Sequence, residues 1–594
     1  MTCTGLIVPR IAGFCGLLVL LLACSLAAAL VWAQYPPGAQ ITKDGTAVLL
    51  QDYASAPLSS AMKDAYPAPI DYQEELARVN TLHSEPSRSP RSASRFFVND
   101  ANGILYILDK NTKKFTPYID FGRAFPQFTT DTGYEGGIVF VAFDPGYAKN
   151  GKFYTVHTER LDKGTAATPT NAYLPGWKTD GYTVTEPVKP PTGSIVGESV
   201  LIEWTDTNVN NTTFEGTARE ILRVQFNHNM HQIDDLLFDP LAKPGSVDYG
   251  NLYIAVGDGA SGETPGVTHA TPQRLDALQG KILRITPDIN LRPNDRLSAN
   301  GRYRIPSTGS DPNPFVSVAQ ARAEIFAYGL RNPQRMSWDS VTNTLIANDI
   351  GFHDWEEVNV ITKGGNYGWA EREGNEQVFV AEGGKTGSQM NPVVAFPEKD
   401  RLTVGGLSEP VTPLYPSAVY SHRDGDSIGS GFVYRGKLMP QLRGKYIFDE
   451  RTTGRIFYSD LVEMLATKGV RNNLAAMHEL QIMYKSPYDK SGAGPTKRRL
   501  YDILAESFAH KGGQPKQSAV LPGASGTVGG WRGETYREGL PDPYGVKYGG
   551  GRADIHLAMG GDGELYVLSK SDGMIRKFVA VVTPPPPAKQ LAAR

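Results

Sequence analysis

Short runs of leucine, tyrosine, isoleucine, valine and phenylalanine, each led in by aspartate, asparagine, glycine or proline, recur along this chain. The phrase reads "NDANGILYILD" from 99, "DPGYAKNGKFYTVHT" from 144 and "DPLAKPGSVDYGNLYIAVGDG" from 239. It returns as "WDSVTNTLIANDIG" from 338, "MPQLRGKYIFDERTTGRIF" from 439 and "GGDGELYVLSKSDGMIRKF" from 560. Turn formers followed by β-branched and aromatic residues predict hairpins. Apolar stretches with a 3.6-residue period are scarce, and 63 glycines and 42 prolines fit many turns. Six imperfect copies predict an all-β chain folded as a six-bladed β-propeller with long loop insertions; a β-sandwich is the alternative that also spaces short strands evenly. The insertions fall near 160–215, 285–322, 373–412 and 465–550, and such segments gather on one face and shape a binding site.

The ends depart from this pattern. Arg10 precedes an uncharged apolar run from Ile11 to Trp32 that closes on "VWA" before Gln34, which predicts a signal peptide over residues 1–33. The run is also long enough to span a bilayer. Leu21 to Cys24, "LLAC", looks like a lipoprotein cleavage box, although the apolar run continues beyond Cys24. The expectation is an exported protein, periplasmic or secreted, that meets a membrane only through this segment if it stays uncleaved or is lipidated. Residues 34–90, rich in proline, alanine and serine, are expected to form a partly disordered extension, 91–580 the propeller, and 581–594 a proline-rich tail.

Composition narrows the chemistry. All three cysteines, Cys3, Cys15 and Cys24, lie in the leader, so the remainder holds no disulfide and no haem attachment site. A net charge of −2 gives no electrostatic case for nucleic acid. No glycine-rich dinucleotide fingerprint, phosphate loop or nucleophile elbow is present.

Candidate chemistry sits just beyond strands, where propellers gather ligands. In "EIFAYGLRNPQRMSWD", from 324, Arg331 and Asn332 follow an apolar run, and Pro333 biases Asn332 toward an extended or turn geometry. A guanidinium there offers a planar fork of donors to a carboxylate; an inter-blade ion pair is the structural alternative. After Ile350, Gly351 and Phe352 turn with carbonyls able to face a hard cation, and Asp354, Glu356 and Glu357 follow. His228 and His231 precede "LLF" and could supply a general base, although lone histidines are commonly structural. Two such ligands alone are a weak zinc signal. Glu135 opens the apolar strand of "YEGGIVFVAFDP" and could orient a hydroxyl or pair with an arginine.

The phrases "YGLRNPQRMSWD", "DIGFHDWEEVNVITKGGNYGW", "EGGIVFVAFDP", "LQGKILRI" and "GSGFVYRG", in this order, resemble the glucose/sorbosone dehydrogenase family, soluble quinoproteins on six-bladed propellers that use pyrroloquinoline quinone and Ca²⁺. The resemblance runs in patches from about 95 to 578. It implies oxidation of a sugar (aldose) or related alcohol, with a separate electron acceptor. His231 falls on the catalytic base, and Arg331 and Asn332 on cofactor contacts. Gly351 and Phe352 match the carbonyl pair that holds the Ca²⁺, a Lewis acid toward the quinone. Glu135 matches a glutamate beside the substrate, and Glu357 and Tyr367 match residues near a further, structural Ca²⁺.

The departures are specific. Met230 stands where the glucose dehydrogenases carry an acid that orients the base, and His228 competes for the role of His231. A cofactor lysine falls near Thr452, with Arg451 adjacent as a substitute. Arg552, with His556, falls where that branch has two arginines. These departures keep open a second reading, a non-catalytic Ca²⁺-binding propeller acting as a binding or scaffold module, as in the hedgehog-interacting branch of the superfamily. A lactonase-type hydrolase is a third. Fold alone does not choose among them.

Overall fold

The computed structural model describes residues 41–59, 76–86, 94–130, 136–161, 167–264, 266–352, 354–378, 400–422, 424–471, 473–511 and 552–583. Residues 1–33, the proline-rich tail from 584 and Glu135 lie outside them.

Six sheets follow one another along the chain, each built mainly by antiparallel hairpins. The first joins Val79–Ser84, Arg95–Asp100, Ile104–Asp109 and Phe115–Asp120, and the second runs Ile138–Phe143, Lys152–Glu159, Gly197–Asp206 and Gly216–Phe226 with the short Trp177–Lys178 at its edge. The third comprises Ile233–Phe238, Leu252–Val256, Lys281–Ile285 and Ile325–Tyr328; the fourth Pro333–Asp339, Thr344–Asp349, Trp355–Val360 and Ala418–Ser421. The fifth holds Ile428–Val433, Lys445–Glu450, Ile456–Asp460 and His478–Glu479. The sixth begins with Ile555–Met559, Leu565–Ser569 and Met574–Thr583. The first strand of each sheet touches the first strand of the next, and the sixth touches the first, which closes a ring of six blades. Apolar clusters fill the wedges between blades, such as Ile233, Leu236, Ile254 and Leu283 of the third blade packed with Val139, Val156, Leu201 and Val224 of the second. The expected six-bladed propeller is the observed fold.

The N-terminal expectation needs correction. Ala47–Ser55 pairs antiparallel with Met574–Thr583 inside the sixth blade, and Val79–Ser84 is the inner strand of the first. The propeller therefore reaches back to Ala47 rather than beginning at 91. Gln481–Tyr484 lies parallel against Ala47–Ser55, and Thr496–Arg498 pairs antiparallel with Gln481–Tyr484, extending that sheet to six strands.

Alternating strand direction sorts the loops. The segment entering each inner strand and the turn between its second and third strands lie on the same face. His231, Arg331, Asn332, Gly351, Phe352, Arg451 and Arg552 all occupy such positions.

Candidate active site

His231 enters the inner strand of the third blade, and its ring is fixed from the second turn of that blade. Its Nδ1 lies 2.9 Å from Asp258 Oδ1, in "VGDGASGE". Asp258 is fully buried and accepts three further bonds, from the amides of Ala260 and Gly262 at 2.8 and 2.9 Å and from the Trp369 indole at 2.8 Å. Burial pushes its carboxyl up, but His231, Arg331 and Trp369 outweigh that and hold it below the usual range. An ionised acceptor at Nδ1 fixes the tautomer with the proton on that nitrogen, so Nε2, which makes no hydrogen bond among the described residues, is the basic one. His228 is exposed, its Nδ1 occupied by the Met230 amide. Of the two histidines, His231 has the geometry of an oriented base.

Asp258 is what the sequence reading missed. The acid was sought at 230, beside the histidine, where Met230 stands; it arrives instead from a turn 27 residues on. A Gly-Asp-Gly turn closing a buried strand was the available signal. Trp369 was missed as well. It reaches Asp258 because residues 365–369 climb along Tyr328 and Gly329, joined by Tyr328 N to Gly365 O, Tyr367 N to Tyr328 O and Trp369 N to Gly329 O.

Arg331 is buried at the entry to the fourth blade. Its amide and that of Asn332 donate to Asp349, at 3.0 and 2.6 Å, and its Nη1 donates to the Ile350 carbonyl at 2.9 Å. Its Nη2 is ion-paired with Glu263, and the guanidinium carbon lies 5.5 Å from the Phe352 ring and 5.8 Å from that of Trp369. The inter-blade ion pair raised as a structural alternative is thus present. Yet Arg331 Nε and Asn332 Oδ1 are both buried without a hydrogen-bond partner among the described residues, a costly state unless a ligand supplies one.

The amides of the Gly351–Phe352 turn are taken up by acids: Gly351 N by Glu356, and the amides of Phe352, Asp354 and Trp355 by Glu373 Oε1 at 2.8 to 3.1 Å. No hydrogen bond reaches the Gly351 carbonyl among the described residues, so it stays available to a hard cation. A Cβ on Gly351 would stand 1.5 Å from the Trp355 carbonyl, so only glycine permits this close turn. Glu356 pairs with His422 at 2.7 Å, and despite burial that pairing lifts the imidazole to about 9.

The remaining candidates divide. Arg451 Nη2 lies 3.0 Å from Asp554, and Arg552 donates to the Thr452 hydroxyl from both Nε and Nη2, at 3.0 and 2.5 Å. These cations line the same face on the fifth and sixth blades. His556 is fully buried against Ser430, and burial followed by Arg451 holds its pKa far down; a neutral ring is no substitute for an arginine. Glu357 accepts from Asn359 and the Gly374 amide, while the Tyr367 hydroxyl bridges Val360 O and Thr362 N. Their side chains thus serve separate hydrogen-bond sets, and no cluster of three or more His, Cys, Asp or Glu side chains arranged for a metal occurs among the described residues.

Known proteins are similar to the chain across this region. Residues 225–399 match the family model described as glucose/sorbosone dehydrogenase. HIPL1 protein of Arabidopsis thaliana is 27% identical over 407 residues, 63% of this chain and 51% of that protein. The human Hedgehog-interacting protein is 25% identical over 378 residues, 63% of this chain and 41% of its own length. Aldose sugar dehydrogenase YliI of Escherichia coli is 38% identical over 120 residues, 20% of this chain and 26% of the relative. The chain spans about half the length of HIPL1, the longest of these matches. The family resemblance carried by the sequence motifs is thus matched over part of the propeller: residues 225–399, with His231, Arg331 and Phe352 among them, match the glucose/sorbosone dehydrogenase family model, and the chain folds as a six-bladed propeller.

Proposed function

We propose that this protein is an exported quinoprotein that oxidises an aldose or related alcohol with pyrroloquinoline quinone and Ca²⁺. The observation that carries the reading is the oriented base beside a buried arginine whose Nε finds no partner among the described residues. The residues fit the cofactor. Arg331 Nε and Asn332 Oδ1 supply a donor and an acceptor, Arg451 and Arg552 add positive charge on the same face, and the Gly351 and Phe352 carbonyls would take the Ca²⁺. When bound, the quinone would supply the acceptor for the hydride leaving the carbinol carbon.

His231 Nε2 takes the hydroxyl proton as that hydride leaves, so the alcohol loses one proton and one hydride and becomes a carbonyl. Asp258 keeps the proton on Nδ1 and stabilises the imidazolium that forms. Being buried and ionised, it does so without reorganisation. The Trp369 indole and two amides hold Asp258 in turn, and the Phe352 and Trp369 rings pack together against the Arg331 guanidinium.

The second reading, a binding module without catalysis, is favoured by one observation: Thr452 stands in the lysine position and its hydroxyl is covered by Arg552. Titration with pyrroloquinoline quinone, with and without Ca²⁺, separates the two. Saturable Ca²⁺-dependent binding supports the dehydrogenase; no binding at micromolar quinone supports the module.

A further inference from the structure

Arg331 presents three edges, and the structure shows what each meets. Nη1 is held by the Ile350 carbonyl and Nη2 by Glu263, and Nε has no hydrogen-bond partner among the described residues. The Nε and Nη2 hydrogens are the parallel pair that binds a carboxylate bidentately. Glu263 covers only half of that pair. Its Oε1 also stands 3.7 Å from His231 Nδ1, so one acid side chain reaches both the base and the arginine. Glu263 comes from the loop after Asp258, not from the fourth blade. Its side chain keeps 15% of its exposure, whereas Arg331 keeps 9% and Asp258 none. It is the acid of this group with room to move.

Charge sharpens the point. Arg331 already interacts with Glu263, Asp258, Glu356 and Glu373. A carboxylate ligand arriving at its open edge meets an excess of negative charge, and Glu263 stands where the second oxygen of that ligand must sit. The Phe352 and Trp369 rings, packed on each other with centroids 5.9 Å apart and both against the guanidinium, hinder it from turning to offer another edge.

We propose that Glu263 is a built-in occupant of the carboxylate-binding edge of Arg331, which an anionic ligand must displace. The position that Glu263 vacates takes a planar carboxylate; that this carboxylate belongs to the cofactor rests on the function proposed above, while the displacement itself does not. Glu263 then sets how tightly this mouth holds anions, and its removal strengthens binding where removal of a simple prop for Arg331 would weaken it.

The test uses oxalate, a small planar dicarboxylate, titrated calorimetrically into the full chain and into E263Q, E263A and the double variant E263Q/R331K. Thermal unfolding of each confirms that the fold is kept. The expected result is oxalate binding at least ten-fold tighter in E263Q and E263A than in the parent, with the gain lost in the double variant. Binding that is unchanged, weaker or undetectable in both single variants overturns the proposal, and so does a gain that survives R331K. Pyrroloquinoline quinone titrated in parallel distinguishes the two ideas: oxalate tightening without quinone binding leaves the displacement standing and removes the quinone reading.

Discussion

At the residue scale the site depends on an unusual backbone. His231 has a φ of +54°, a left-handed conformation uncommon for a side chain of its size. The surroundings make it hold: the Gly259 amide donates to its carbonyl at 2.9 Å, and a Cβ on Gly257 would stand 2.5 Å from that same oxygen. A turn with glycines at 257 and 259 thus both admits the histidine backbone and delivers Asp258 to its ring. Arg331→Ala should weaken quinone affinity about 10- to 100-fold, the worth of a charge-assisted hydrogen bond, as read by fluorescence or absorbance titration. Unchanged affinity would mean that Arg331 serves only the ion pair with Glu263. The sequence made His231, Arg331 and the Gly351 turn legible because each follows or opens a recognisable strand. It hid Asp258 because the orienting acid is a neighbour in space, supplied by a loop 27 residues further on.

At the scale of elements, polar side chains tie each blade to the next. Asn99 donates to the Ile138 carbonyl, Asn348 to that of Gly429, and Asp235 accepts from the Met336 amide. Asp449 accepts from Ser430 within its own blade and from Leu557 of the sixth. Burial lifts the Asp449 carboxyl to about 8, against the pull of the Leu557 amide, Arg451 and the Ser430 amide. The folded chain therefore keeps a proton that the unfolded chain releases near pH ~4. Stability from this group is present at low pH and falls as pH rises through the window toward 8. Asp449→Asn preserves the acceptor and removes the titration, so its melting temperature should decline less between pH 5 and pH 8 than the parent's. Parallel declines in the two proteins would show that Asp449 is not protonated in the fold. Such staples were illegible in the sequence, where an Asp or Asn within a strand reads only as a weak strand former.

At the scale of the molecule, the ring is shut by its two ends. Ala47–Ser55 lies between Met574–Thr583 and Gln481–Tyr484, and Arg576, fully buried, joins Asp52 at 3.0 Å to Asp572 at 2.6 Å. Tyr484 adds its hydroxyl to Asp52. Removing the shared cation strands Asp572 in the core, so Arg576→Ala should cost about 3–5 kcal/mol in urea unfolding; a loss below ~1 kcal/mol would mean that the closure rests on backbone pairing alone. This strand escaped the sequence reading because its hairpin partner lies at the far end of the chain. "AVLLQDYAS" stands alone between proline- and alanine-rich stretches, with no second strand close by to mark it. The count of six survived because the other blades carry complete hairpins in sequence order.

The most direct test of the dehydrogenase reading is rapid mixing of quinone- and Ca²⁺-loaded protein with a panel of aldoses, following quinone absorbance in the parent chain and in His231→Ala at equal cofactor occupancy. The account predicts reduction by at least one sugar in the parent, and a rate lower by about 10²- to 10⁴-fold in the variant, the usual contribution of a general base. Equal rates in the two proteins, or no reduction by any sugar in a fully loaded parent, would contradict it.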